Sequence, residues 1–132
     1  MSQGLEVVKA FYNAMKAGDL GTALGLIDEN VEWTEAENFV YADLSPYMGR
    51  DNLVNGLFMR FGMYWENFAA IPERMLDSGD TVVVLGRYNG SYRETGKSVN
   101  AQMVHVYQVA NGKIVKFQQY TDTAQFHDVT SN

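Results

Sequence analysis

The stretch Ser98-Val99-Asn100-Ala101-Gln102-Met103-Val104-His105-Val106-Tyr107-Gln108-Val109 runs through Asn111-Gly112 into residues 113–122, and this segment decides the fold. Asn-Gly is the dipeptide that accepts the two positive φ angles of a tight hairpin turn, so the flanking runs read as antiparallel strands. Side chains alternate across a strand. Val99, Ala101, Met103, Tyr107 and Val109 therefore share an inward face, while Ser98, Asn100, Gln102 and Gln108 look outward. His105 falls on the apolar side. A polar ionisable group there is costly unless it is paired or used. It reads either as a general acid/base or donor with a pKa near neutrality, or as a core histidine satisfied by one neighbour.

Working towards the N-terminus, residues 81–92 form another strand and residues 69–76 a third, separated by the turn Asp77-Ser78-Gly79-Asp80. The aromatic run 63–68 is ambiguous. Leu53, Val54, Leu57, Phe58 and Phe61 make the stripe of a helix whose first turn carries Asp51, a favourable place for negative charge. Residues 38–49, with Pro46, read as a loop. Val31, Trp33 and Glu35 lie on one face of a strand over residues 31–37. Leu5, Val8, Tyr12 and Met15 mark a helix over residues 5–17, ended by Gly18. Asp19 then caps a short helix through Ala23, Leu24 and Ile27. Helices first and antiparallel strands afterwards give an α+β fold. The expectation is a curved antiparallel sheet wrapped around the N-terminal helices as a cone with an internal pocket, one domain over residues 1–132.

Composition narrows the function. The 132 residues carry a net charge of −6 and no run of Lys and Arg, which argues against nucleic acid and anionic membrane as partners. With no cysteine, thiolate chemistry and disulfides are excluded, and a cytoplasmic location is expected. No signal peptide or apolar stretch long enough to span a bilayer is visible. The two histidines, His105 and His127, do not form a spaced ligand set, so no metal is expected. Phosphate-binding glycine loops are missing too, and no cofactor is implied.

The ordered set Phe11-Tyr12, Ala17-Gly18-Asp19-Leu20, Val31-Glu32-Trp33, Gly49-Arg50, Gly79-Asp80-Thr81-Val82-Val83-Val84, His105-Val106 and Gly112-Lys113-Ile114-Val115 resembles the nuclear-transport-factor-2-like superfamily. Within it, the chain resembles the SnoaL-like proteins related to ketosteroid isomerase. The fold hosts isomerases, polyketide cyclases, dehydratases, epoxide hydrolases and binding modules, so fold alone does not carry chemistry. The three positions at which ketosteroid isomerases place an oxyanion Tyr, an Asp base and a protonated Asp are Phe11, Trp33 and His105 here. That mechanism does not transfer whole. The resemblance to SnoaL-like cyclases instead implies an acid/base Asp near the end of the last strand, at Asp122; the residue reads equally as a cap of the chain end near Thr121 and Thr123.

The expected catalytic set is His105, Asp122 and Glu35. A carboxylate held against Trp33 away from water has a raised pKa and suits proton transfer at neutral pH, whereas a twist or bulge at the strand end would turn Glu35 out into solvent, an equally good reading. The ligand-contacting set is Tyr12, Trp33, Phe58, Trp65, Met103, Phe117 and Gln119. The implied activity is that of a small cofactor-independent enzyme of isomerase, cyclase or lyase type, moving a proton on a hydrophobic carbonyl-bearing molecule. The alternative is a non-catalytic small-ligand-binding or dimerisation module. Convergence of His105 with a carboxylate favours the first; a cone packed shut by Met63, Tyr64 and Trp65 favours the second. The outer hairpin face mixes Gln102, Val104, Val106 and Gln108 with Lys116, Gln118 and Tyr120, which suggests a homodimer through that face.

Overall fold

The structure is a computed structural model that describes residues 2–132. Helix α1 (Gln3–Lys16) starts at Ser2, whose hydroxyl accepts from the Leu5 amide, and packs Val7, Val8, Phe11 and Tyr12 onto the sheet. Met15, expected on this buried stripe, is 39% exposed instead, because the buried face passes through Val7, Phe11 and Ala14. Helix α2 (Leu20–Gly25) is capped by Asp19 as expected. It stops before Ile27, however: that residue opens β1 (Ile27–Thr34) and pairs with Ile114.

Six strands form one sheet in the order β2-β1-β6-β5-β4-β3. They are β1, β2 (Tyr47–Met48), β3 (Trp65–Ser78), β4 (Thr81–Tyr92), β5 (Ser98–Ala110) and β6 (Lys113–Thr121). Neighbours run antiparallel except β1 and β6, which lie parallel because the whole of the intervening chain connects them. The hairpin turn has φ of 53° at Asn111 and 75° at Gly112, and Val84, His105 and Gln119 stand in one row across β4, β5 and β6. β4 also carries Gly86, where a Cβ would collide with the Ile71 carbonyl beside the irregularity in β3.

Between β2 and β3 the chain runs through α3 (Arg50–Leu53), a π-helical turn (Val54–Phe58) and α4 (Met59–Tyr64). These elements close one side of the cone, with Leu53 and Leu57 buried, whereas Met63 and Tyr64 are turned outwards. A last helix, α5 (Thr123–Thr130), was not expected from the sequence; it buries Phe126 and Val129 against the sheet and places His127 on the Asn38 carbonyl. None of the described helices is long and apolar enough to cross a membrane.

Candidate functional site

The inner face of β5 places His105 at the centre of the cone, only 4% exposed. Both ring nitrogens are engaged. The Tyr12 hydroxyl on α1 lies 2.7 Å from Nδ1, and the Tyr107 hydroxyl lies 3.4 Å from the same atom. On the other side the Tyr88 hydroxyl on β4 meets Nε2 at 2.5 Å. Tyr107 also donates to Tyr12 (2.8 Å), while Gln119 on β6 donates from Nε2 to Tyr88 (2.8 Å). The Gln119 carbonyl oxygen accepts from the Ala36 amide at 3.0 Å, which fixes the orientation of its amide group.

Burial drives the His105 pKa from 6.5 down to about 3, since no carboxylate is hydrogen-bonded to it to hold a positive charge. His105 is therefore a neutral imidazole, not the near-neutral acid/base expected from sequence. Asp122 does not join it. Its carboxylate caps α5, accepting from the Gln125 amide at 3.3 Å and from the Gln125 side chain. The expected acid/base Asp sits at a helix N-terminus because β6 ends at Thr121, one residue before it.

Glu35 faces inward as the alternation of Val31 and Trp33 demands, although β1 has already ended at Thr34. The Ser45 hydroxyl accepts from its backbone amide, at 3.0 Å. Burial raises its carboxyl pKa from 4.5 to about 8; the Trp33 indole and the Arg60 charge pull it down less than burial lifts it. The indole does not reach a sound hydrogen bond. Among the described residues, the buried side-chain atoms without any partner are Trp33 Nε1 and Glu35 Oε2. These two open atoms lie on neighbouring residues of one strand parity, close enough for the indole to act on the carboxyl.

Aromatic rings build the wall around them. Trp33 stacks on Phe117 with centroids 3.8 Å apart and meets the edge of Phe58 at 5.5 Å, the latter presented by the π-helical turn. Short π-helical turns occur often at functional sites. Met103 is buried on the same sheet face as His105. Trp65 stands apart from this group. Its indole donates to the Tyr41 hydroxyl (2.9 Å), and its ring packs against Phe68, Tyr92 and Phe126. Tyr88, which sequence reading did not single out, was findable: it shares the inward parity of Val82 and Val84 on a strand whose limits were clear.

Residues 8–117 match the SnoaL-like domain. The chain belongs to the SnoaL-like family. Its members include polyketide cyclases and isomerases. No curated protein matches the chain. Among solved structures, it is similar to an NTF2-like protein of Burkholderia thailandensis E264, with 35% identity, all of both chains covered and a TM-score of 0.93. An NTF2-like protein of unknown function from Burkholderia pseudomallei K96243 is 25% identical over all of both chains, with a TM-score of 0.89. The fold also matches that of TerC, co-crystallised with polyporic acid, at 22% identity over 97% of this chain and 98% of that one, with a TM-score of 0.84. These matches establish the nuclear-transport-factor-2-like α+β fold.

Among the described residues, no group of three or more His, Cys, Asp or Glu side chains could hold a metal ion. What the interior offers is a carboxyl that is neutral or charged according to its surroundings, an indole donor beside it, and a rigid hydroxyl–imidazole network behind.

Proposed function

We propose that this SnoaL-like protein is a cofactor-independent acid/base enzyme of the isomerase, cyclase or lyase type, acting in the cytoplasm on a hydrophobic carbonyl-bearing molecule. Glu35 is its proton carrier. The observation that carries this reading is the open Glu35 Oε2 beside the open Trp33 Nε1, both buried in an aromatic wall. A carboxyl with a pKa near 8 exchanges a proton at neutral pH, where the acid and its base are both populated. It takes a proton from the carbon next to the substrate carbonyl and returns it at another position of the same molecule. The Trp33 indole N–H, freed from any internal acceptor, binds the oxygen on which charge builds. The aromatic wall supplies apolar contact and excludes water. TerC, with the same fold, was crystallised with a small molecule, which supports ligand binding in this architecture.

The test is deuterium exchange of the α-protons of an aryl methyl ketone in D2O, followed by NMR. Exchange that is catalysed by the wild type and lost in Glu35→Gln supports the reading. Unchanged exchange in that variant sinks it.

One observation favours the binding-module alternative. His105 meets tyrosines, not a carboxylate, so its network reads as a fixed binding surface. Ligand binding retained in full by Glu35→Gln, with no exchange in either protein, would select that alternative. Pairing of two copies through the outer sheet face is part of the same proposal. The register lines up Leu76, Val83 and Val106 there, with Leu85, Val104 and Tyr120 in a neighbouring row. Sedimentation as a monomer at micromolar concentration would remove it.

A further inference from the structure

The hydroxyl–imidazole network holds more protons than it can use. Tyr107, Tyr12 and Tyr88 each carry one hydroxyl hydrogen, and a neutral His105 carries one N–H. These four hydrogens serve three internal contacts: Tyr107 with Tyr12, Tyr12 with Nδ1, and Nε2 with Tyr88. Gln119 adds a further donor to Tyr88 and takes no hydrogen from it, because the Ala36 amide holds its oxygen away and turns its nitrogen towards the Tyr88 hydroxyl. One hydroxyl hydrogen is therefore surplus and must leave the network.

Geometry decides which one. Two hydroxyls, Tyr12 at 2.7 Å and Tyr107 at 3.4 Å, converge on Nδ1, and Tyr107 donates to Tyr12. That convergence suits an acceptor nitrogen: Tyr12 then donates to Nδ1, and the hydrogens of both tyrosines are used. If Nδ1 carried the hydrogen, it would face two oxygens with one proton and leave a Tyr12 hydroxyl idle between its neighbours. With Nδ1 as acceptor, the imidazole hydrogen sits on Nε2 and is given to Tyr88. The Tyr88 oxygen then receives two donors, Nε2–H and the Gln119 amide, and its own hydrogen has no acceptor among the described residues. The Tyr88 oxygen thus has its partners while its hydrogen has none.

We propose that Tyr88 is a second hydrogen-bond donor, beside the Trp33 indole, for the ligand's carbonyl oxygen, with His105 in the Nε2–H form and Gln119 as its positioning residues. This rests on the proposed acid/base reading in one respect: the ligand it serves is the carbonyl compound whose proton Glu35 moves. Two incoming hydrogen bonds polarise the Tyr88 hydroxyl and strengthen its outgoing one. The donor is aimed by a rigid sheet: Tyr88 on β4 lies opposite Ala101 of β5, and its ring packs on Phe68 and Phe126. It shares the interior with Glu35: burial first, and the Glu35 carboxylate charge next, push the Tyr88 hydroxyl pKa upward. Donor and proton carrier thus come from opposite sides of the cone, one from β4 and one from the end of β1.

Two measurements test it. Nitrogen-15 NMR of the wild type reads the tautomer directly, and the chain has only His105 and His127 to assign. The Nε2–H form of His105 between pH 6 and 8 is expected; the Nδ1–H form overturns the proposal, since it moves the surplus hydrogen to the Tyr12 end. This arm needs no variant, so it decides even if Tyr88→Phe folds poorly. The second arm compares binding of 2-acetylnaphthalene and naphthalene by quenching of tryptophan fluorescence. Tyr88→Phe is expected to weaken the ketone about tenfold, the worth of one hydrogen bond, and to leave naphthalene unchanged. Equal loss for both ligands, no loss for either, or a wild type that fails to prefer the ketone overturns it. Failure of the Glu35 reading looks different: Glu35→Gln then leaves α-proton exchange untouched while the Tyr88→Phe discrimination persists.

Discussion

His105 and Glu35 are both ionisable, both buried to 4% exposure, and both reach the interior from the sheet. The fold treats them in opposite ways. Around His105 every nitrogen has a tyrosine hydroxyl, and the surrounding hydroxyls bond one another or Gln119. Around Glu35 the carboxyl accepts no hydrogen bond of sound geometry, and its Trp33 neighbour is equally open. A buried polar group costs little when satisfied and a good deal when not. The comparison teaches where to look for proton transfer in this cone: the conspicuous histidine is scaffold that holds a tyrosine, and the less conspicuous glutamate, left at an energetic cost, is the carboxyl available to a ligand.

The strongest way to break that contrast is to remove the satisfied side. His105→Ala strips partners from Tyr12 and Tyr88 and opens a cavity among Tyr12, Phe117 and Tyr88. Cavity and stranded hydroxyls together are expected to cost roughly 3–5 kcal/mol of stability by urea unfolding. A loss below about 1 kcal/mol would show that the network is not scaffold at all.

Next comes pH, because the two groups tilt stability in opposite directions. His105 is depressed from 6.5 to about 3, so the unfolded chain binds a proton that the folded protein refuses; stability is lost as pH falls through that window. Glu35 is raised from 4.5 to about 8, so the folded protein keeps a proton that the unfolded chain releases; stability is lost as pH rises through that window. Where the windows overlap, between 4.5 and 6.5, the slopes oppose and cancel. A flat-topped profile is expected from these two groups, falling on the alkaline side up to about pH 8. Glu35→Gln should remove the alkaline fall and leave the variant more stable than the wild type at pH 9, by up to about 5 kcal/mol at ~1.4 kcal/mol per pKa unit. Thermal unfolding of both proteins across pH 4–9 measures it; an unchanged alkaline limb would mean that Glu35 is not held neutral by burial.

The contrast between the two sites was only half legible in the sequence. Strand parity placed Ala101, Met103, His105 and Tyr107 inward, and all of them are buried, because one face of a hairpin cannot slip by a residue without exposing its whole apolar set. Parity likewise turned Glu35 inward. What parity cannot give is the partner. The tyrosines that saturate His105 come from α1, β4 and β5, and their meeting depends on how the helix lies across the sheet. Helix α5 is illegible for another reason: a cap at Asp122 is readable, but the helix it starts shows only in the spacing Asp122…Gln125 before Phe126 and Val129, too short a stretch to declare itself by periodicity. Ile27 was drawn into α2 by helical spacing, although Gly25 had already ended that helix.

The smallest expected effect sharpens the comparison by removing a third carboxylate from it. Asp122 caps an eight-residue helix through the Gln125 amide, and α5 carries Phe126 onto the Tyr88 ring at 5.7 Å. Asp122→Ala should therefore cost about 1 kcal/mol, the usual worth of an N-cap side chain. Fraying of α5 could reach Tyr88 through Phe126, so activity in the alanine variant does not separate cap from chemistry by itself. Asp122→Ser does, because a serine hydroxyl caps a helix nearly as well while offering no carboxylate to take up a proton. Stability and α-proton exchange both restored in Asp122→Ser leave Glu35 as the carboxylate that handles the proton. Stability restored with exchange still lost would give Asp122 a chemical role despite its position, and the division between a satisfied scaffold and one open carboxyl would no longer hold.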